Sequence, residues 1–308
     1  MENSIIILGS TATGKTRLAV DIAKKMNGEI ISADSRQVYK GLDIGSGKDL
    51  KEYQDVPYHL IDIRELKHEY NVFEFQKDVY SIFPQIIARL SFPIIAGGTP
   101  LYIDSIVNAY KLLPVPIDFE FRNSLEKTSL EELKDLLLSL KVDIHNKTDL
   151  EDRQRLIRAI EIAKYKKENP QMLEELNKTK PSIKPIIVGI DFEKEELAQR
   201  IYKRLISRLE EGMIEEVASL HEKKGIEWEY LESLGLEYKF TSMYLQGKIK
   251  TKDEYIETTF RHICKFAKRQ KTWFRKMERN GVKIEWIRGN VEPLSQAMNI
   301  LKQNNLFK

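Results

Sequence analysis

Short apolar runs recur along the chain, and segments with helical periodicity separate most of them. A short uninterrupted apolar run is typical of a strand that is buried on both faces, and its alternation with helical segments indicates a parallel sheet. The predicted strands are residues 5–8, 29–33, 58–63, 92–96 and 185–190, with a further short candidate at 282–287. The pattern therefore predicts an α/β fold.

The chain between the predicted strands at 92–96 and 185–190 has a different pattern. Residues 113–184 are rich in charge and helical, and prolines stand near both ends. Ser129 and Glu132 form a capping-box signature that predicts a helix through Leu140, and a second helix is predicted over residues 149–167. We interpret residues 113–184 as a helical insertion domain in a core made of residues 1–112 and 185–308.

Helical periodicity returns after the predicted strand at 185–190. One helix is predicted over residues 194–224. A longer one is predicted from a second capping box, formed by Thr251 and Glu254, to about Arg279.

Composition and charge exclude only a few classes of protein. The chain has 308 residues, 42% hydrophobic and 31% charged, and its net charge of +3 does not by itself indicate a nucleic-acid partner. The single cysteine, Cys264, excludes an internal disulfide and fits a reducing cytosol. No apolar run approaches the ~18 residues of a membrane span, and the first predicted strand leaves no room for a signal peptide. We expect a cytoplasmic protein with no membrane partner.

Residues 9–16 match the phosphate-binding pattern G-x-x-x-x-G-K-[ST] at every defined position, between a predicted strand and a helix. Backbone N–H groups of such a loop form a concave anion site at a helix N-terminus. Lys15 is expected to reach the terminal phosphates and Thr16 to hold a bound Mg²⁺. The predicted phosphate-binding residues are Gly9, Ser10, Thr11, Ala12, Thr13, Gly14, Lys15 and Thr16.

Two other predicted strands end in polar residues, at the edge of the sheet where ligands of α/β proteins bind. Asp34 could act as a general base or beside Mg²⁺, or it could cap a helix. At the other strand end, Gly97 and Gly98 allow close backbone approach. The Thr99 hydroxyl could bind a ligand oxygen or cap the next helix.

The strand that ends at Gly97 carries no acidic residue where many P-loop ATPases bind Mg²⁺. Asp62 or Asp191 could serve in its place. The missing acid nonetheless lowers the expectation of ordinary ATP hydrolysis.

Basic residues form three groups. Arg200 and Arg204 share a helix face, where they could clamp a leaving diphosphate or form a solvated surface. Arg153–Arg158 is a basic cluster in the insertion, and the late helix carries a basic stripe with aromatic residues between its members. That stripe consists of Arg261, Lys265, Lys268, Arg269 and Thr272, interleaved with Phe266, Trp273 and Phe274. Each group alone is typical of a surface helix, whereas two clusters beside one phosphate site favour a polyanionic partner.

The order of these motifs resembles the tRNA dimethylallyltransferases, which modify adenosine 37 beside the anticodon. The resemblance covers nearly the whole chain and rests on residues 9–16, 34–39, 43–48, 97–102, 153–161, 234–238 and 267–273. It implies a P-loop NTPase-like core that binds dimethylallyl diphosphate, with Mg²⁺ as the cofactor and the tRNA anticodon stem-loop as the partner. We expect a monomer.

The resemblance also implies a role for individual residues. Asp34 would be the general base on N6 of adenine, and Thr99 would hydrogen-bond the diphosphate. Arg204 and Lys15 would stabilise the leaving group, and the insertion would grip the anticodon stem. The implied tRNA contacts are Asp34, Ser35, Arg36, Gln37, Thr99, Arg122, Gln154, Arg155, Leu156, Ile157, Arg158, Lys265, Lys268 and Arg269.

The residues alone leave two other functions open. A P-loop kinase of a nucleoside or small metabolite explains residues 1–110 but gives the basic late helix no role. A nucleotide-gated RNA-binding protein without catalysis explains the basic helices, although Asp34 and Thr99 at the sheet edge argue against it.

Overall fold

The computed structural model of the protein describes residues 3–140, 151–172 and 180–306. Within these residues six strands form one parallel sheet in the order β3-β2-β4-β1-β5-β6. The strands are β1 Ser4–Gly9, β2 Gly28–Ser32, β3 Tyr58–His59, β4 Phe92–Gly97, β5 Pro185–Asp191 and β6 Glu285–Arg288. The predicted α/β class and its parallel sheet are confirmed.

Helices connect the strands. They are α1 Lys15–Met26, α2 Val72–Ala88, α3 Pro100–Val107, α4 Phe119–Ser124, α5 Leu130–Ser139, α6 Arg153–Glu168, α7 Lys194–Glu210, α8 Met213–Glu222, α9 Trp228–Ser233, α10 Leu236–Leu245, α11 Lys252–Arg279 and α12 Pro293–Gln303. Within the ranges given above, no helix is both long and apolar enough to cross a membrane.

The central strand β1 is buried along its whole length, because helices cover both faces of the sheet. Ile5 and Ile7 face a cluster that contains residues of α1 and α12. Ile6 and Leu8 face the opposite cluster, which contains residues of α2, α3 and α11. This placement explains why the strands appear in the sequence as continuous apolar runs.

The order of the strands creates a crevice between β1 and β4. The chain leaves β1 through α1 and returns in β2, on the far side of β4, whereas the chain after β4 continues to β5 on the other side of β1. The two connections therefore diverge at the carboxyl edge of the sheet. Ligands of open α/β sheets bind at such a switch point.

Two predicted elements were wrong in their extent. The strand predicted at residues 58–63 contains only Tyr58–His59, because Leu60 and Asp62 have φ angles of 64° and 54° and cannot continue an extended backbone. The helix predicted over residues 194–224 is two helices, since Gly212 adopts a left-handed conformation with φ of 99° between them. By contrast, the long helix predicted from Thr251 is continuous from Lys252 to Arg279.

The chain divides into two compact units, Met1–Ala109 with Pro181–Lys308, and Tyr110–Lys180. The smaller unit has its own apolar core, which includes Leu133, Leu137 and Leu156. Its helix α5 begins with the predicted capping box of Ser129 and Glu132. The second predicted helix begins at Arg153, and its predicted first residues, 149–150, lie outside the described residues.

Candidate active site

A cavity of about 650 Å³ opens in the larger unit and includes the carboxyl ends of β2 and β4. Its walls come from the P-loop, two strand ends, a glycine-containing loop, and helices α7, α10 and α11. The principal lining residues are Thr11, Ala12, Gly14, Lys15, Thr16, Asp34, Ser35, Arg36, Gln37, Gly45, Ser46, Gly47, Asp49, Gly98, Thr99, Arg200, Lys203, Arg204, Arg208, Glu237, Ile263, Phe266 and Gln270. The P-loop and the two polar strand ends therefore share one cavity.

The P-loop joins β1 to α1 through a tight turn that needs glycine at two positions. Gly14 has a φ of 83°, in the left-handed region, directly before the first helical residue. At Gly9, a Cβ atom would lie 2.8 Å from the Ile190 carbonyl oxygen and 2.9 Å from Thr13 Oγ1, which leaves no room for a side chain. The loop therefore aims the N-terminus of α1 at the cavity.

Lys15 and Arg204 supply positive charge beside this turn. Lys15 Nζ donates to the Ser10 carbonyl oxygen at 2.7 Å. Desolvation and the nearby Arg204 lower the pKa of Lys15 to about 7, against the attraction of Asp34. Burial and Arg208 lower the pKa of Arg204, which as a guanidinium remains charged at neutral pH.

Asp34 and Thr99 are fixed by backbone hydrogen bonds at the ends of β2 and β4. Asp34 Oδ1 accepts from the amides of Arg36 at 2.8 Å and Gln37 at 3.3 Å, so the carboxylate caps a turn and faces the cavity. Thr99 Oγ1 accepts from the Ser35 amide at 3.1 Å. The Thr99 side chain makes no capping hydrogen bond to α3. The Thr99 hydroxyl can therefore donate its proton to a ligand.

Both arginines of α7 face the cavity, which rules out the interpretation of a purely solvated surface. Arg200 Nε donates to the Ala12 carbonyl oxygen at 2.9 Å, and its guanidinium lies 4.5 Å from the centre of the Phe192 ring. Arg204 Nη1 lies 3.4 Å from Thr11 Oγ1. Arg200 thus braces the P-loop, while Arg204 extends its positive surface.

Gln270 was missed as a site residue. Its Oε1 accepts from the Thr11 amide at 2.9 Å, and its Nε2 donates to the Gly98 carbonyl oxygen at 2.5 Å. The side chain is 3% exposed. One buried amide on α11 therefore ties the P-loop to the end of β4. The signal in the sequence is a polar residue on the apolar face of a helix.

Another carboxyl group of the cavity was also missed. Glu237, at the start of α10, lines the cavity with Arg204 and Arg208. Burial raises the pKa of Glu237, although the two arginines oppose the change. Glu237 belongs to the segment 234–238 that carries the family resemblance. More than 200 residues separate it from Lys15, so local patterns do not place the two residues in one cavity.

The oxygen groups near the P-loop fit a magnesium ion only in part. Thr16, Asp34 and Asp49 line the cavity and carry the oxygen ligands that Mg²⁺ prefers. The described residues contain no group of three or more His, Cys, Asp or Glu placed to hold a metal. Asp62 and Asp191, the alternative ligands, form ion pairs with Lys48 and Lys271. A Mg²⁺ ion at this position also needs oxygen ligands from the phosphorylated molecule that the cavity binds.

The basic residues of α11 lie on its outer side. Lys265, Lys268 and Arg269 are exposed and do not line the cavity. The Arg269 guanidinium lies 5.7 Å from the centre of the Phe266 ring, and Phe266 does line it. The helix thus turns one face to the P-loop and another to solvent.

In the insertion, Leu156 is not available as a tRNA contact, and Arg122 and Arg158 form ion pairs within this unit. Leu156 is fully buried in the core of this unit, so its side chain cannot contact tRNA. Arg122 donates to both carboxylate oxygens of Glu161 at 2.7 and 2.8 Å, and Arg158 donates to Glu161 Oε2 at 2.9 Å. The remaining predicted contacts, Gln154, Arg155 and Ile157, lie on the same helix, where Gln154 and Arg155 are exposed.

A P-loop at the switch point of a parallel sheet, with basic side chains and a carboxylate in the same cavity, defines a P-loop protein that binds phosphorylated ligands. Comparison with known families narrows this class. The chain belongs to the IPP transferase family, whose sequence profile matches residues 37–277, and the isopentenyl transferase profile matches residues 2–68.

Individual relatives are similar to this chain over most of their length. The chain is 59% identical over 285 residues to tRNA dimethylallyltransferase 2 of Treponema denticola, covering 92% of this chain and 95% of the relative. It is 52% identical over 287 residues to tRNA dimethylallyltransferase of Treponema pallidum, covering 92% and 90%. The crystal structure of the full-length tRNA isopentenylpyrophosphate transferase of Bacillus halodurans has a TM-score of 0.70 and 30% identity, covering 99% and 96%.

Proposed function

We propose that this protein transfers a dimethylallyl group from dimethylallyl diphosphate to N6 of adenosine 37 in the tRNA anticodon loop and releases pyrophosphate. The observation that carries the proposal is that one cavity contains Lys15 and Arg204 beside the P-loop and Asp34 and Thr99 at the strand ends. The names and high identity of the relatives support the same reaction.

The P-loop is the proposed site of the diphosphate. Its backbone N–H groups and the N-terminus of α1 favour an anion. Arg204 adds a positive charge, and Lys15 adds a second one when the bound anion favours its charged form. As the bond between C1 and the bridging oxygen breaks, negative charge accumulates on the pyrophosphate. Charges already fixed around that position lower the barrier, since they need no reorganisation during the reaction.

Asp34 is the proposed general base. The nitrogen N6 attacks C1 of the allyl group, and Asp34 takes the proton that N6 loses as the new bond forms. The two backbone amides that bind Oδ1 hold the carboxylate in one orientation. Thr99 donates its hydroxyl proton to the bridging oxygen or the diphosphate, while the Ser35 amide holds Oγ1 in place. Positioning of this kind is a large part of catalysis in group transfer.

Mg²⁺ is the proposed cofactor. Thr16 would hold it together with oxygens of the diphosphate, which is the usual arrangement for Mg²⁺ at P-loops. When bound, the ion supplies further positive charge to the leaving pyrophosphate.

In the larger unit, the proposed tRNA contacts are Lys265, Lys268 and Arg269, on the exposed side of α11. In the insertion domain, proposed as residues 113–184, they lie on the exposed part of α6. Ser35, Arg36 and Gln37 line the cavity and are proposed to contact the anticodon loop near the modified base. Reaction at N6 requires the adenine to leave the stack of its neighbours and enter the cavity. With tRNA as its substrate, the protein is expected to act in the cytoplasm, as a monomer.

The test is to incubate the protein with Mg²⁺, dimethylallyl diphosphate and unmodified tRNA carrying A36-A37-A38, and to analyse the digested tRNA by mass spectrometry. We expect N6-dimethylallyladenosine, and no product when A37 is replaced. Absence of product together with phosphate transfer from ATP to a small molecule would instead establish a P-loop kinase.

A further inference from the structure

The loop of residues 43–49 forms one wall of the cavity through Gly45, Ser46, Gly47 and Asp49. A carboxylate outside the cavity lining holds this loop. Glu216, on α8, accepts hydrogen bonds from three successive backbone amides: Asp43 at 3.0 Å, Ile44 at 2.7 Å and Gly45 at 3.1 Å. Consecutive N–H groups that converge on one anion form a strong, charge-assisted anchor.

Tyr238 supports the same carboxylate from the other side. Its hydroxyl donates to Glu216 Oε1 at 2.8 Å, and the residue is 1% exposed. Burial raises the pKa of Tyr238 well above its ordinary value, so the hydroxyl remains a donor. The ring also packs against Gly45, where a Cβ atom would lie 2.8 Å from Tyr238 Cζ. Glu216, Tyr238 and the loop therefore fit together without free space.

The far side of the loop is in contact with the arginines of α7. Arg208 donates to the Ile44 carbonyl oxygen and, at 2.9 Å, to the Asp49 carboxylate. Asp49 Oδ2 lies 3.7 Å from Arg204 Nη2. A Cβ atom at Gly47 would lie 2.1 Å from that same Arg204 nitrogen, so the guanidinium rests directly on the glycine. A shift of the loop would therefore shift Arg204.

We propose that Glu216 is a positioning residue for diphosphate binding, which it serves by holding the 43–49 loop in the place that seats Arg204 in the cavity. The inference rests on the proposed function, because it assumes that Arg204 binds the diphosphate. Glu216 does not touch the substrate. Its effect reaches the diphosphate through Gly47, Asp49 and Arg204.

The variant Glu216→Gln tests this role. It keeps the size of the side chain but replaces one acceptor oxygen with an NH₂ group that faces backbone N–H donors. We expect the dissociation constant of pyrophosphate and the KM for dimethylallyl diphosphate to rise about tenfold, the scale seen when groups that orient ligand-binding residues are removed. The KM for tRNA should not change. Glu215→Gln, an exposed neighbour on the same helix, is the matched control and should behave as wild type.

Tyr238→Phe is the second variant and removes one hydrogen bond to Glu216. We expect it to weaken pyrophosphate binding in the same direction by about threefold, in line with the loss of one hydrogen bond. It decides the question if Glu216→Gln does not fold. Unchanged pyrophosphate affinity in the folded variants, with or without a uniform loss of activity, would overturn the positioning role.

Lys15→Ala separates this inference from the proposed function. We expect it to lose pyrophosphate binding. If Lys15→Ala binds pyrophosphate as wild type does, the P-loop is not the diphosphate site, and the proposed function and the inference fail together. If Lys15→Ala loses binding while Glu216→Gln and Tyr238→Phe retain it, the inference alone fails.

Discussion

At the scale of single residues, Asp34 and Lys15 occupy the same cavity and influence each other. The carboxylate of Asp34 attracts the charged form of Lys15, while desolvation and Arg204 oppose that form more strongly. The charge of Lys15 therefore depends on whether an anion is present. This dependence makes the charge of Lys15 sensitive to pH and to substitution of the residues around it.

Asp34→Asn is expected to lower kcat by about 10²–10⁴-fold, the usual contribution of a general base. Asparagine keeps an oxygen that can accept from the amides of Arg36 and Gln37, so the turn should persist. Steady-state kinetics with tRNA measure the effect, and an unchanged dissociation constant for pyrophosphate serves as the control. A loss smaller than about tenfold would remove Asp34 from this role.

The lowered pKa of Lys15 predicts that the protein takes up a proton when it binds a diphosphate. Its pKa of about 7 in the ligand-free protein means that it is mostly neutral at pH 8, whereas a bound diphosphate favours the charged form. Calorimetry of dimethylallyl diphosphate binding at pH 8, in two buffers that differ in ionisation heat, should therefore reveal a proton taken up. Lys15→Arg, which stays charged, should lose this uptake. Equal uptake in both proteins would assign the proton to another group.

The same lowered pKa makes the stability of the ligand-free protein depend on pH. Between about 7 and the ordinary value of 10.5, the unfolded chain binds a proton at Lys15 that the folded chain does not. The contribution of this group to the free energy of unfolding therefore rises with pH across that window. Below pH 7 the buried charge costs stability.

At the scale of elements, helix α11 has a buried face that contacts the P-loop and an exposed face that is basic. Its buried face binds the P-loop through Gln270 and through the Ala267 carbonyl, which accepts from Ser10 Oγ at 3.1 Å. Its exposed face carries Lys268 and Arg269. The helix thus shapes the proposed donor site from within while presenting positive charge to solvent.

Gln270→Ala should destabilise the protein and weaken donor binding. The substitution leaves the Thr11 amide and the Gly98 carbonyl without their partner, at a cost of about 1–3 kcal/mol for each buried group that stays unsatisfied. Urea unfolding measures the change in stability. The exposed Arg275→Ala on the same helix is the control, with an expected change within about 0.5 kcal/mol. Equal stability of the two variants would contradict the bridging role of Gln270.

How far the sequence predicts these elements depends on the range of the interactions that determine them. The strands β1, β2, β4 and β5 and the P-loop follow from local patterns. The break at Gly212 and the short β3 do not, since left-handed residues interrupt an otherwise continuous pattern: Gly212 in the first case, and Leu60 and Asp62 in the second. Local patterns do not identify Gln270 and Glu216 at all, because their hydrogen-bond partners lie 259 and 173 positions away in the chain.

At the scale of the whole molecule, the net charge of +3 is small, so a tRNA-binding surface depends on where the charges are concentrated. Lys268 and Arg269 are neighbours on the exposed side of α11. Exposed lysines and arginines that neutralise phosphates release counterions. The affinity then falls as the salt concentration rises.

The double variant Lys268→Ala/Arg269→Ala should therefore weaken tRNA binding and flatten its salt dependence. Each lost phosphate contact is expected to reduce the slope of log K against log salt by about 0.7–0.9. Titrations of tRNA at several salt concentrations measure the slope. Lys25→Ala/Lys223→Ala, two exposed lysines that do not line the cavity, provide a charge-matched control. An unchanged slope in the first variant would make this part of α11 an ordinary solvated surface.

The bracing of the P-loop by Ser10, Gln270 and Arg200 has a kinetic consequence. A P-loop that is already in its binding conformation binds the diphosphate group of the substrate before the dimethylallyl group is transferred, and the pyrophosphate product afterwards. Such uniform binding does not help the product to leave. We therefore expect pyrophosphate to inhibit competitively against dimethylallyl diphosphate, and a burst of product in the first turnover, with the later turnovers limited by the departure of pyrophosphate.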